Sequence, residues 1–198
     1  MNAIIYLNYQ GKNIETLFSN IKNANKHIDL ISIINEVGIA NAINKGLRQL
    51  NFEHIDYVTI MGNDILEPNN WLLTRNEFMQ DKTIGICSIP LHGFAGDSLD
   101  LIGNFTISSE AILKVGAFNE ELDPYGAIDL DYCTRVRAAG LQTKFIPNSK
   151  ATHIEQNGSD VYGYNKMDLV KKTWDLHNRN VQAYGDGTKT YYIPLWEY

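Results

Sequence analysis

Asp56-Tyr57-Val58-Thr59-Ile60-Met61-Gly62-Asn63-Asp64-Ile65 is the stretch on which the reading of this chain turns. A β-branched, apolar run stops at Gly-Asn-Asp, which puts the carboxylate of Asp64 at the C-terminal edge of a buried strand. In open α/β sheets ligands bind beyond that edge, where loop backbone and helix N-termini converge. Downstream lie a second acidic cluster, Asp129-Leu130-Asp131, at the head of a helix, and His153 after a later strand. A strand-end carboxylate, a helix-start acid and a late histidine suit metal-assisted transfer from a phosphate-bearing donor.

Working outward, residues 3–7 read as a first strand. Ile14, Leu17, Phe18 and Ile21 fall at helical spacing and predict a helix over about 13–25. A second strand at 29–34 is followed, past Asn35 and Gly38, by a helix marked by Ile39, Ile43, Leu47 and Leu50. Pro68 and Trp71 open a helix through Phe78, and 84–89 is another strand. Residues 91–100 read as a loop near the site, 101–107 as a strand, and Ser108 or Ser109 caps a helix that stops at Gly116. A helix over 129–139 ends at Gly140, and strands follow at 144–147 and 151–154. Leu169, Val170, Thr173, Trp174 and His177 mark one face of a late helix, and an aromatic tail closes the sequence. This alternation predicts an α/β fold, a mostly parallel sheet flanked by helices. The expected organisation is a domain over 1–164, with a C-terminal helix and aromatic tail over 165–198 packed on it.

Composition narrows the function. With 198 residues, 44% hydrophobic and 20% charged, the chain suits one globular domain. A formal charge of −6 gives no basic footprint for nucleic acid or anionic membrane. Cys87 and Cys133 stand alone in apolar contexts, which predicts buried free thiols in a reducing compartment. The N-terminal residues lack a basic region and a cleavage motif, and no apolar run reaches the ~20 residues that span a bilayer. A cytoplasmic location and no transmembrane segment are expected.

Each candidate residue has a functional and a structural reading. Asp64 can hold a cation on a diphosphate, which needs only one or two protein carboxylates, or it can cap a Gly-Asn-Asp turn. Gly38 opens a helix whose N-terminal amides and dipole can face an anion, or it makes a plain strand-to-helix turn capped by Asn35. Asn41 and Asn44 can present amides along one helix edge toward a nucleotide. Asp131 is accounted for by an i,i+4 pair with Arg135, whereas Asp129 has no such partner and is the better base. His153 is either a ligand or a satisfied strand-end histidine.

Taken in order, these motifs resemble the inverting GT-A-fold, Rossmann-like glycosyltransferases of family 2. Gly38-Ile39-Ala40-Asn41-Ala42-Ile43-Asn44-Lys45-Gly46-Leu47 is similar to the family's "GfagAxNxGi" helix, and Gly62-Asn63-Asp64 stands at its DxD position. Val115-Gly116-Ala117-Phe118-Asn119-Glu120-Glu121-Leu122 resembles "vGxFdExf". Asp129-Leu130-Asp131-Tyr132-Cys133-Thr134-Arg135 resembles "EDxDlxxR", and residues 151–159 resemble the late "xxHxxxxS" segment. The resemblance implies a nucleotide-sugar donor and a divalent metal, Mn²⁺ or Mg²⁺, bound by Asp64 with His153. It implies that Asn63 helps at the metal site and that Asp129 is the base for a hydroxyl acceptor: a glycan, a lipid-linked glycan or a protein. The charge disfavours a modified nucleic acid as acceptor.

Three departures qualify the resemblance. Gly62 replaces the first acid of DxD, Ile128 replaces the acid before the base, and the family's "DNxSxDxT" tract after the second strand is missing. Nucleobase contacts would then come from main chain at Leu7-Asn8-Tyr9. A catalytically degenerate sugar- or nucleotide-binding module of the same fold is the alternative. A nucleotidyltransferase is a weaker one, because no Gly-rich basic loop follows the first strand.

Overall fold

Four consecutive buried residues, Ala3 to Tyr6, lie inside the first strand, so that strand is covered on both faces and sits centrally in its sheet. The computed structural model describes residues 1–8, 13–34, 36–91, 104–154 and 166–196. In chain order the elements are β1 (Asn2–Leu7), α1 (Ile14–Asn23), β2 (Leu30–Ile34), α2 (Ile39–Leu47), β3 (Tyr57–Gly62) and a two-residue β4 (Ile65–Leu66). Then come α3 (Trp71–Phe78), β5 (Ile84–Ser88), β6 (Phe105–Ser108), α4 (Ser109–Val115) and a 3-10 turn, Glu120–Leu122. The last are α5 (Ile128–Ala138), β7 (Gln142–Phe145), a two-residue β8 (Thr152–His153) and α6 (Lys166–Gly185).

Six strands form one sheet in the order β2-β1-β3-β6-β5-β7. β1 pairs in parallel with β2 and β3, and β5 with β7, while β6 runs antiparallel between β3 and β5. The sheet is therefore mostly parallel, as the strand–helix alternation predicts. Residues alternate between two apolar layers with the period of a strand. Ala3 and Ile5 face a layer with Ile43, Leu47, Ile112 and Tyr132 from α2, α4 and α5. Ile4 and Tyr6 face the other layer, with Leu17, Trp71 and Leu72 from α1 and α3.

Two expectations shift. The strand expected at 144–147 is Gln142–Phe145 instead, because Thr143 is the buried residue that alternates with exposed Gln142 against β5. On α6 the buried stripe is Thr173, His177, Asn180 and Tyr184, while Trp174 keeps 45% of its surface exposed. Thr173 and His177 lie on the expected face; its continuation through Asn180 and Tyr184 is largely polar, so apolar periodicity does not extend to it. The loop read at 91–100 lies outside the described residues apart from Leu91, which bridges to Ala151.

The tail returns to the body. Ala117 N donates to Ile193 O at 2.8 Å, Ile193 N to Val115 O at 3.1 Å, and Arg48 Nε to Leu195 O at 2.9 Å. Trp196 meets Phe52 edge-on with ring centroids 5.9 Å apart. Among the described residues no helix is long and apolar enough to cross a membrane.

Candidate functional site

β1 and β3 end side by side, Leu7 opposite Gly62. There the chain leaves the sheet, turns through Asn63 and Asp64, and pairs β4 with β8 in an antiparallel ribbon. In that ribbon Ile65 faces His153, and Ile154 N donates to Asp64 O at 2.7 Å. The pairing brings His153 Nε2 to 3.2 Å from Asp64 Oδ2, two side chains 89 residues apart in sequence and each about 40% exposed.

A buried polar chain fixes the strand end. Asn104 Oδ1 accepts from Gly62 N at 2.8 Å, and its Nδ2 donates to Glu67 Oε1 at 2.8 Å. Arg75 Nη2 donates to the same oxygen at 2.6 Å, with both side chains fully enclosed. Burial pushes the Glu67 carboxyl above the usual carboxylate range, against the pull of Arg75 and Asn104. Nothing in the sequence pointed to this set, whose members lie just after β4, on α3 and just before β6. Asn13 Nδ2 donates to Asn63 O at 3.2 Å and ties down the turn itself.

α5 supplies the second carboxylate pair, and its two members point differently. Asp129 lies in the first turn, where Oδ1 accepts from Leu130 N at 2.9 Å. Asp131 is wholly buried: Oδ2 accepts from Arg135 Nε at 2.9 Å, and Oδ1 accepts from Tyr184 OH at 3.3 Å. His177 Nδ1 stands 3.7 Å from that Oδ1, close enough for charge attraction but too long for a hydrogen bond. Burial alone would raise Asp131; the His177 and Arg135 side chains outweigh it and hold the carboxyl below the usual range. Arg135 also donates to Val115 O and Ala117 O, each at 2.9 Å. The expected i,i+4 pair is thus a buried anchor for the helix that carries Asp129.

Asp64, His153 and Asp129 line one cavity of about 550 Å³ at the C-terminal edge of the parallel strands, within the size range of small-molecule sites. Leu7 and Gly62 form part of its floor, and Tyr125, Val170 and Trp174 stand on the side of α6. The Oδ1 of Asn8, at the end of β1, is buried without a hydrogen-bond partner among the described residues. Among the described residues no three His, Cys, Asp or Glu side chains cluster as a metal site, so Asp64 and His153 form a two-residue set.

At the head of α2 the N-terminal amides meet a side chain of the protein itself. Asp123 Oδ1 accepts from Ala40 N at 2.8 Å and Oδ2 from Asn41 N at 2.9 Å, so the anion at this N-terminus is a carboxylate of the chain itself. A Cβ on Gly38, at φ +90, would lie 2.6 Å from that carboxylate, which is why glycine stands there. Asn41 Nδ2 folds back on Val37 O at 3.3 Å. Asn44 is buried and turned inward: Phe118 N donates to its Oδ1 at 2.7 Å, and its Nδ2 donates to Phe118 O at 2.9 Å. The bonds described for these two asparagines and for the Ala40 and Asn41 amides run to the chain itself. Tyr9 and Asn35 lie outside the described residues.

No family model matches the chain, and no curated protein matches it. Solved structures do. The mannosyltransferase PcManGT from Pyrobaculum calidifontis, in complex with GDP-Man and Mn²⁺, superposes with a TM-score of 0.70 at 15% identity, over 92% of this chain and 69% of that one. A D211N mutant of Drosophila β-1,4-galactosyltransferase 7, complexed with manganese, UDP-Gal and xylobiose, gives 0.63 at 16% identity over 85% and 79%. The 1–349 portion of S. aureus TarS gives 0.62 at 13% identity over 87% and 64%. The sheet order, the strand-end cavity and these superpositions together establish that the chain has the GT-A glycosyltransferase fold.

Proposed function

We propose that the protein is an inverting glycosyltransferase that moves a sugar from a nucleotide-diphosphate sugar to a hydroxyl acceptor. The observation that carries this is the convergence of Asp64, His153 and Asp129 on one cavity at the strand ends. Asp129 is the base: it takes the proton of the acceptor hydroxyl as that oxygen bonds to C1 of the donor sugar. The C1–O bond to the diphosphate breaks on the opposite face, so the anomeric centre inverts. Arg135 and Asp131 hold the start of α5 so that Asp129 stays aimed.

The oxygen of Asp64 suits Mn²⁺ or Mg²⁺, the nitrogen of His153 favours Mn²⁺ of the two, and two protein ligands leave room for phosphate oxygens and water. A divalent ion so held neutralises charge developing on the departing nucleoside diphosphate. Leu7, at the end of β1, lines the cavity, and the chain at Leu7 and Asn8 is where contacts to the nucleotide would fall. The PcManGT and galactosyltransferase complexes, which contain manganese and a nucleotide sugar, support the same assignment by fold.

The test is a thermal-shift panel of nucleoside diphosphates and nucleotide sugars, each with and without Mn²⁺. A ligand at a hundredfold excess over its Kd stabilises by about 2.7 kcal/mol, a shift of roughly 5–10 °C for a chain this size. One nucleotide is expected to raise Tm only with metal, and Asp64→Ala to abolish the rise. Absence of any shift across the panel would sink the donor reading. A second reading, a binding module without turnover, is favoured by Ile128. That residue packs in the apolar core and leaves no acid beside Asp129. Nucleotide binding without transfer or donor hydrolysis in the wild type would establish that alternative.

A further inference from the structure

Trp174 is unusual among the large aromatics of this chain. Its indole lines the cavity that contains Asp129 yet remains 45% exposed. The neighbouring residue fastens it there. Thr173 Oγ1 accepts from Ala127 N at 3.3 Å, and a Cβ on Gly126 would fall 1.9 Å from that same oxygen. Only glycine at 126 lets α6 approach the segment that leads into α5 this closely. Ala127 is two residues from Asp129, so the Thr173 contact fixes the α6 backbone that carries Trp174 relative to the start of α5. On its inner side the indole meets His177 edge-on, with centroids 6.4 Å apart and planes at 85°, and His177 is itself buried beside Asp131. Tyr125 stands on the same wall, one residue before Gly126.

We infer that Trp174, with Tyr125 at its side, is the platform of an acceptor subsite for a carbohydrate, a pyranose ring stacking on the indole with a hydroxyl directed to Asp129. This assignment rests on the transferase reading for its meaning and adds to it the chemical class of the acceptor. A sugar ring has an apolar C–H face and a rim of hydroxyls. An aromatic face and a carboxylate lining one cavity match both, with the ring burying area and the carboxylate accepting an O–H. A serine or threonine of a protein acceptor carries no face of that size.

The experiment titrates wild-type protein, by ligand-observed NMR, with cellobiose, chitobiose, lactose, maltose and xylobiose. A parallel titration uses nucleoside diphosphates plus Mn²⁺. At least one disaccharide is expected to bind, with Trp174→Ala weakening it about tenfold or more and Trp174→Tyr recovering most of the loss. Trp196→Ala, on the docked tail, serves as the comparison aromatic and is expected to bind the sugar as wild type does. Equal sugar binding by Trp174→Ala and wild type, or no binding of any disaccharide, overturns the subsite. The wild-type nucleotide titration judges the donor reading separately: its failure alongside Trp174-dependent sugar binding leaves the subsite standing and removes the transferase.

Discussion

Asp129 and Asp131 are two residues apart with opposite fates, and single substitutions separate them. Asp129→Asn keeps shape and removes the base; transfer is expected to fall by about 10²–10⁴-fold in a product assay while metal-dependent nucleotide binding persists. Asp131→Asn instead leaves the Arg135 guanidinium buried without its counter-charge, a loss of about 3–5 kcal/mol readable as a lower denaturant midpoint. Asp131 is held below its ordinary range in the folded state. Its stabilising contribution is therefore complete above the unfolded carboxylate's titration and disappears as pH falls through the folded one. Wild type is expected to lose stability more steeply than Asp131→Asn on acidification below about pH 4. This pair was legible because helical spacing alone brings i and i+4 together. Asn44 was not: its partner Phe118 lies 74 positions away, and no local pattern reports that distance.

At the scale of elements, the strand end that carries Asp64 depends on three pieces meeting in the interior. Glu67 follows β4, Arg75 lies on α3, and Asn104 immediately precedes β6. Arg75→Met alone leaves Glu67 buried without a counter-charge, at a cost of about 3–5 kcal/mol. Arg75→Met with Glu67→Leu is expected to recover most of it in a double-mutant cycle. The Asp123 carboxylate at the head of α2 is a smaller contribution: Asp123→Ala is expected to cost about 1 kcal/mol by chemical denaturation. The major strands and helices were readable from their periods. β4 was not, since two residues carry no period, and its existence follows from pairing with β8. The sequence placed Asp64 and His153 correctly at two separate chain ends of strands; that short ribbon is what makes them neighbours.

For the whole molecule, α6 and the tail complete the wall and the support of the cavity rather than forming an appendage. Arg135 Nη1 reaches Tyr191 O at 3.4 Å, and the tail adds the Ala117, Val115 and Arg48 contacts. At about 1 kcal/mol net per hydrogen bond, deleting residues 190–198 is expected to remove about 4 kcal/mol. That is a large share of the 5–15 kcal/mol typical of a domain and would appear as a sharp drop in Tm. The sequence marked Thr173 and His177 on one face of α6, whereas Asn180 and Tyr184, which continue the buried stripe, are polar or amphipathic and carry no apolar period.

The carboxylate of Asp123 at the α2 N-terminus has one more consequence, for competition with ions in solution. Being tethered to the same chain, 83 residues from Ala40, it is presented there at an effective concentration set by the fold rather than by the surrounding medium. Inorganic phosphate or sulfate at millimolar levels is expected not to displace it. Inhibition by those anions is therefore expected to arise away from α2, and a salt series run on wild type and Asp64→Ala tells whether it arises in the pocket beside Asp64.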